Sequence, residues 1–121
     1  MPRILLCDDD KDLVRLISER FTSEGYEVIV SPNGNDTLKM AAEQKPDLVI
    51  HDALVPGMHG FEVCKALKSQ PETRHIPVIM MTAVYTKSRY KQEVLSKYGA
   101  QDYLLKPIDI SDLLQRVKKY I

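Results

Sequence analysis

Short apolar segments alternate with helical segments along the whole chain of 121 residues. The apolar segments are four or five residues long and mostly rich in branched side chains, as in strands that are covered on both faces. They span residues 3–7, 26–30, 47–51, 77–81 and 102–105. This alternation predicts an α/β architecture, in which a parallel sheet lies between two layers of helices.

The segments between the strands have the apolar spacing of helices. In the last of them, apolar side chains recur every three or four residues from Ile110 to Ile121, and Asp109 precedes them as a plausible N-cap. Gly25 and Gly99 follow the first and fourth helices, where a left-handed C-cap residue is common. The other predicted helices span residues 11–24, 34–44, 60–70 and 87–98.

Right-handed crossovers limit the possible orders of five parallel strands, and the order 2-1-3-4-5 is common for a chain of this size. We therefore expect a flavodoxin-like, doubly wound five-stranded parallel sheet with five helices. The sequence contains no internal repeat or interdomain linker, so we expect a single domain spanning residues 1–121.

Composition argues against several classes of function. Lys and Arg total 17 and Asp and Glu total 17, so no net charge favours direct contact with nucleic acid or an anionic membrane. The longest mainly apolar stretch, residues 76–84, is much shorter than the roughly 20 residues of a membrane-spanning helix. The N-terminus has no secretory signal, and we expect a cytoplasmic protein. We interpret Cys7 and Cys64 as buried apolar residues.

The polar residues that follow the first, third, fourth and fifth predicted strands are candidates for a common site. The first strand leads to Asp8, Asp9 and Asp10, the third to Asp52, the fourth to Thr82 and the fifth to Lys106. In a doubly wound sheet these strand ends share one edge, beside the point where the strand order reverses. We therefore expect the side chains to form one cleft, although they lie far apart in the sequence.

The charges of this predicted cleft require a cation. Three carboxylates, from Asp8, Asp9 and Asp52, would repel one another, and a divalent ion together with Lys106 would balance them. Oxygen ligands in a wet cleft favour Mg²⁺, with Mn²⁺ as a possible substitute. A hydrated Mg²⁺ beside a carboxylate suits phosphoryl transfer, in which catalysis is mostly positioning and charge neutralisation.

At these positions the chain resembles the CheY-like receiver domain of two-component response regulators. The resemblance rests on the segments ILLCDDD, DALVPGMHG, MTA and LLKP, in the family's order and spacing, and it spans all 121 residues. It implies that a sensor histidine kinase or a phosphotransfer protein passes a phosphoryl group to Asp52. It also implies a signalling switch that catalyses only its own phosphorylation and dephosphorylation, rather than an enzyme that converts a metabolite.

The resemblance implies a set of metal ligands. Asp9 would bind Mg²⁺ directly and Asp8 largely through water, while Asp52 and the backbone carbonyl of Leu54 would complete the protein ligands.

The resemblance also implies which residues respond to the phosphoryl group. Lys106 would contact the phosphoryl oxygens and would be joined to Pro107 by a cis peptide, which only X-Pro bonds adopt readily. Thr82 would turn its hydroxyl towards the phosphoryl group, and Tyr103 would follow it inward as an aromatic switch. The added charge would then shift the face formed by helix 4, strand 5 and helix 5 between two populations. That face is expected to bind a downstream effector or to form a homodimer.

Three features depart from the common family pattern. Val55 and His59 replace the usual Met and Asp, and the segment from Thr82 to Gly99 is about two residues longer than in compact members. Leu54 and Val84 occupy positions that tune phosphoryl hydrolysis in the family, and neither can orient an attacking water. Our hypothesis is a comparatively long-lived phosphorylated state.

Two other classes of protein fit these residues less well. A haloacid dehalogenase-type phosphatase would need an acid where Leu54 stands, and a flavodoxin-like electron carrier would not place three aspartates beside a flavin phosphate. A pseudo-receiver, acting as a phosphorylation-independent docking module, remains the alternative.

His51 and His59 have no partner at metal-ligand spacing, so we expect satisfied or solvent-facing histidines. Asp102 and Arg116 could pair across the output face, as similar residues do in transcription-factor receivers that dimerise, or could form an ordinary surface ion pair.

Overall fold

The computed structural model describes residues 1–85 and 87–121. Within those two ranges the chain forms five strands and five helices in strict alternation. The strands are β1 (Arg3–Cys7), β2 (Glu27–Ser31), β3 (Leu48–Asp52), β4 (Val78–Thr82) and β5 (Asp102–Leu105). The helices are α1 (Lys11–Ser23), α2 (Gly34–Gln44), α3 (Gly60–Ser69), α4 (Ser88–Ser96) and α5 (Ile110–Tyr120).

The strands form one parallel sheet in the order β2-β1-β3-β4-β5. This confirms the flavodoxin-like fold and the strand order expected from the sequence. The strand β3 pairs with β1 on one side and with β4 on the other, and all of its residues are buried. Since β3 ends at Asp52, that carboxylate lies at the centre of one edge of the sheet.

Side chains of each strand alternate between two apolar layers. On β3, Leu48 and Ile50 pack with α1 and α5, whereas Val49 packs on the opposite face with residues of α2, α3 and α4. This alternation follows from the two-residue period of a strand. Each fully buried aliphatic side chain contributes roughly 1.5–3 kcal/mol relative to an exposed one, so both layers stabilise the sheet.

The ends of several elements differ from the sequence-based expectation. The strands β2, β3 and β4 begin and end one residue later than expected. Their last residues, Ser31, Asp52 and Thr82, pair with Cys7, Met81 and Leu105 and so extend the ladders beyond the apolar runs. The helix α4 is shorter than residues 87–98, and it has no side-chain hydrogen bond at its N-cap. Gly25 and Gly99 have positive φ angles of 92° and 80°, as expected, and Lys45 adopts the same left-handed region at 49°.

None of the helices in the described ranges has both the length and the apolar character needed to cross a membrane.

Candidate functional site

The carboxylates that follow β1 and β3 converge at the edge of the sheet. Each of Asp8, Asp9 and Asp52 offers an oxygen within 4.8 Å of the others. Asp8 and Asp52 are buried, with 7% and 6% of their surface exposed, whereas Asp9 is open to solvent. The structure therefore brings together the acidic residues that the sequence predicted to share one cleft.

The three consecutive aspartates after β1 have different positions. Asp10 is the N-cap of α1, and its carboxylate accepts hydrogen bonds from the backbone N–H groups of Asp12 and Leu13. The N–H of Asp10 itself donates to Asp8 Oδ1 at 2.8 Å. Asp8 and Asp9 belong to the cleft, whereas Asp10 stabilises the start of the helix.

Lys106 reaches the same cleft from the end of β5. Its ammonium nitrogen lies 2.8 Å from Asp8 Oδ2 and 3.5 Å from Asp52 Oδ1. Its backbone N–H donates to the carbonyl of Thr82 at 2.8 Å, and the peptide bond from Lys106 to Pro107 is cis. The lysine thus neutralises part of the negative charge between two buried carboxylates.

Burial and charge shift the ionisation of the cleft. Burial, reinforced by the charge of Asp8, raises the pKa of the Asp52 carboxyl from 3.8 to about 6, although Lys106 partly opposes the shift. Burial acts to lower the pKa of Lys106, but the hydrogen bond and charge of Asp8 and the charge of Asp52 outweigh it, so this pKa is raised. The ionised form of Asp52 is therefore less favourable than that of an exposed carboxyl, and a further cation in the cleft would favour it.

The donor set fits a hard divalent cation. All three carboxylates supply oxygen atoms, and Asp8 Oδ2 is buried with the Lys106 ammonium as its contact. Mg²⁺ prefers oxygen ligands and retains several of its waters when bound. The solvent-exposed side of the cleft would leave room for those waters. The part of the Leu54 carbonyl in such a site stays a prediction.

Thr82 and Tyr103 meet at the segment that follows β4. Thr82 Oγ1 accepts the backbone N–H groups of Val84 and Tyr85, each at 3.0 Å. Tyr103 is buried, and its hydroxyl donates to the backbone carbonyl of Tyr85. Both predicted switch residues are therefore hydrogen-bonded to the same residue, Tyr85. Sequence reasoning missed Tyr85, because its backbone makes these bonds.

His51 is fully buried directly beneath the cleft. Its Nδ1 lies 2.7 Å from the carbonyl oxygen of Asp52, and its Nε2 lies 3.2 Å from Thr37 Oγ1. Burial lowers the pKa of His51 to about 4, so the ring is neutral at physiological pH. Because a carbonyl only accepts, the proton belongs on Nδ1, and the unprotonated Nε2 faces the hydroxyl oxygen of Thr37. His51 is thus a satisfied histidine, as the sequence indicated.

His59 begins α3. Its Nδ1 accepts the backbone N–H of Phe61 at 3.1 Å, and its Nε2 lies 3.1 Å from the hydroxyl of Tyr85. Burial lowers the pKa of this imidazole, so the neutral form is favoured. Both ring nitrogens have partners within the chain.

Gly60 allows α3 to begin against the end of β3. A Cβ atom at this position would lie 2.4 Å from the carbonyl oxygen of Asp52, and any side chain would displace that backbone. The glycine was visible in the sequence, but its close approach to Asp52 was not.

Asp102 and Arg116 form an ion pair at 2.8 Å on the face built from α4, β5 and α5. The two residues of this pair, which the sequence indicated as possible partners, belong to the same chain. Arg116 also contacts Asp112 one turn earlier in α5, and Leu105 is exposed beside them.

The sequence matches one family model and is similar to known proteins. Residues 4–118 match the model described as response regulator receiver domain. The chain is 45% identical over 116 residues to the response regulator PleD of Caulobacter vibrioides, and the match covers 96% of this chain and 25% of PleD. The chain thus spans a quarter of the length of that relative.

Two solved structures share the fold over nearly their full lengths. The chemotaxis response regulator CheY4 of Vibrio cholerae has a TM-score of 0.90 and 30% identity, with 100% of this chain and 99% of that chain covered. The receiver domain of the sensor histidine kinase PA1611 of Pseudomonas aeruginosa has a TM-score of 0.86 and 25% identity, with 98% and 96% covered, and a magnesium ion is coordinated in its active site cleft. With the strand order and the acidic cleft described above, these matches establish that the chain belongs to the family of response regulator receiver domains.

Proposed function

We propose that the chain accepts a phosphoryl group on Asp52 from a sensor histidine kinase or a phosphotransfer protein. The observation that carries the proposal is the convergence of Asp8, Asp9 and Asp52 in one cleft, where the Lys106 ammonium lies 3.5 Å from Asp52 Oδ1. A buried carboxylate with a cation beside it can approach a phosphoryl group that several like charges would otherwise repel.

In the proposed transfer, an oxygen of Asp52 forms a bond to phosphorus as the phosphorus–nitrogen bond of the donor histidine breaks. Lys106 stays close to the developing charge on the phosphoryl oxygens, and Asp8 holds the lysine there at 2.8 Å. Asp9, Asp52, Asp8 and the Leu54 carbonyl would hold Mg²⁺, or Mn²⁺ in its place. The bound ion supplies neutralisation of the phosphoryl oxygens.

The structure suggests how the modification reaches another surface. A phosphoryl group adds negative charge and acceptor oxygens close to Thr82. If Thr82 turns its hydroxyl towards the phosphoryl group, the backbone N–H groups of Val84 and Tyr85 lose Thr82 Oγ1 as their acceptor. Tyr103, which donates to the carbonyl of Tyr85, then changes its partner or moves with it. The face formed by α4, β5 and α5 is the proposed output surface, for a downstream effector or a second copy of the chain.

We propose that the phosphodonor docks beside the cleft. A groove of about 470 Å³ lies between the first turns of α1 and the segment after β5, next to Lys106 and Pro107. Leu16, half exposed, and Ile108 give it an apolar lining. A donor protein bound there would lie beside the lysine of the cleft.

The test is intact mass after incubation with acetyl phosphate, with and without Mg²⁺, on the native chain and on Asp52→Asn. We expect a single phosphoryl adduct that requires both the metal and Asp52. A folded native chain that gains no adduct in the presence of Mg²⁺ would instead support the pseudo-receiver, a docking module that works without phosphorylation.

A further inference from the structure

A buried polar cluster lies beneath the cleft, on the α2 side of the sheet. It comprises His51 of β3, Thr37 of α2 and Ser31 of β2, and all three are essentially inaccessible to solvent. Thr37 Oγ1 lies 2.9 Å from Ser31 Oγ and 3.2 Å from His51 Nε2. Ser31 Oγ in turn donates to the carbonyl of Asn33, the N-cap of α2, at 2.8 Å. The cluster therefore fixes His51 from the side opposite Asp52.

The hydrogen bond from His51 to Asp52 has a defined direction. The only acceptor that faces Nδ1 among the described residues is the Asp52 carbonyl oxygen, at 2.7 Å, so Nδ1 must carry a proton whatever the state of Nε2. A buried carbonyl at the end of a strand needs such a donor, since leaving it without one costs about 1–3 kcal/mol.

The same carbonyl of Asp52 also packs against the start of α3. Gly60 packs so closely against it that a Cβ atom would come within 2.4 Å, and the N–H of Gly60 donates to the neighbouring carbonyl of Ala53 at 2.9 Å. The N–H of Ala53 donates to Met81 on β4 at 2.8 Å. The backbone at Asp52 is thus held by His51 and by the start of α3, and its orientation sets the direction of the Asp52 carboxylate.

We infer that His51 is a positioning residue for phosphoryl transfer: its Nδ1–H fixes the backbone of Asp52, and thereby the carboxylate and the following segment that carries Leu54. The inference rests on the proposed function, because it concerns the geometry of the same acceptor. His51 touches neither a phosphoryl group nor a metal, and it acts through Asp52 alone. Thr37 and Ser31 support it by holding the ring in place.

The test compares two replacements of His51 in the acetyl phosphate reaction at saturating Mg²⁺. His51→Leu fills a similar space without a donor, and we expect its rate constant for adduct formation to fall at least about fivefold, the effect of one lost hydrogen bond. His51→Asn places an amide N–H where Nδ1–H stands, and we expect it to recover most of the native rate. The Mg²⁺ concentration for half-maximal rate should rise in His51→Leu as well.

A matched pair of threonine variants separates positioning from stability. Thr37→Val removes the hydroxyl that supports His51, whereas Thr73→Val removes an equally buried hydroxyl that donates to Leu67 at 2.7 Å, away from the cleft. Both should unfold at lower denaturant concentration. We expect a slower reaction only in Thr37→Val.

The outcomes distinguish the two claims. No adduct on the folded native chain would overturn the proposed function. If the native chain forms the adduct and His51→Leu forms it equally fast, the role of His51 is overturned and Asp52 remains the acceptor. The same conclusion follows if His51→Asn and His51→Leu both form the adduct equally slowly. If the His51 variants do not fold, nitrogen NMR of the native chain decides, since a His51 ring protonated at Nε2 alone contradicts the inference.

Discussion

Replacing Asp52 with Asn should stabilise the metal-free chain at neutral pH. Burial and the charge of Asp8 raise the pKa of the Asp52 carboxyl from 3.8 to about 6, so its ionisation is less favourable in the folded chain than in the unfolded one. Because the folded-state pKa is the higher one, the unfolded chain binds fewer protons between these values, and the free energy of unfolding falls as pH rises through them. A shift of about two pKa units corresponds to about 3 kcal/mol.

The assay is urea unfolding of the native chain and Asp52→Asn in EDTA, between about pH 4 and pH 8. The stability difference should be small at the acid end and should approach about 3 kcal/mol in favour of the variant above the raised pKa. His51 is present in both chains, so its own titration largely cancels. Glu72→Gln, at an exposed carboxylate, serves as the control for the loss of a carboxylate as such.

Addition of Mg²⁺ should reduce the stability advantage of Asp52→Asn over the native chain. The ion is expected to bind the folded native chain more tightly than the folded variant, and it therefore stabilises the native chain more by mass action. A stability difference that stays flat with pH, or a variant that is less stable than the native chain in EDTA at neutral pH, would refute the argument. Either result would mean that Asp52 is already well compensated by Lys106 without a metal.

Three further predictions concern single contacts. Leu54→Asn combined with Val84→Glu should shorten the life of the adduct, followed by the decay of intact mass; equal decay would contradict the long-lived state. Lys106→Met should cost about 3 kcal/mol of unfolding free energy in urea, because it leaves a buried carboxylate unpaired; a loss below about 1 kcal/mol would show that water compensates it. Tyr85→Phe, which removes only the hydroxyl beside His59, should speed adduct formation by loosening the segment after β4, and an unchanged rate would count against that coupling.

The fold and the acidic cleft were predictable from the sequence because both depend on periodicity. Runs of apolar residues separated by helices predict a parallel sheet, and the polar residue that ends each run lies at one edge of it. The position of Asp52 beside Asp8 follows from β3 pairing with β1, a consequence of strand order alone. No knowledge of side-chain packing was needed.

The contacts that hold the cleft could not be predicted in this way. The bond between Thr37 and His51 depends on how α2 lies across β2, β1 and β3, and the sequence gives helix spacing but not helix rotation. The links through Tyr85 run through its backbone N–H and carbonyl, which every residue possesses. The one-residue extension of β3 to Asp52 likewise depends on its partner strand rather than on its own composition.

The central position of β3 restricts where strain from a modification at Asp52 can be relieved. The strand is paired on both sides and buried along its length, so its backbone cannot shift without breaking hydrogen bonds and packing on both sides. The helix α4, in which Val94 is the buried residue among Ser88–Ser96, has much less packing to lose. Local opening favours such weakly packed segments. Hydrogen exchange should therefore change first at α4, two strands away from the modified residue, while the amides of β3 keep their protection.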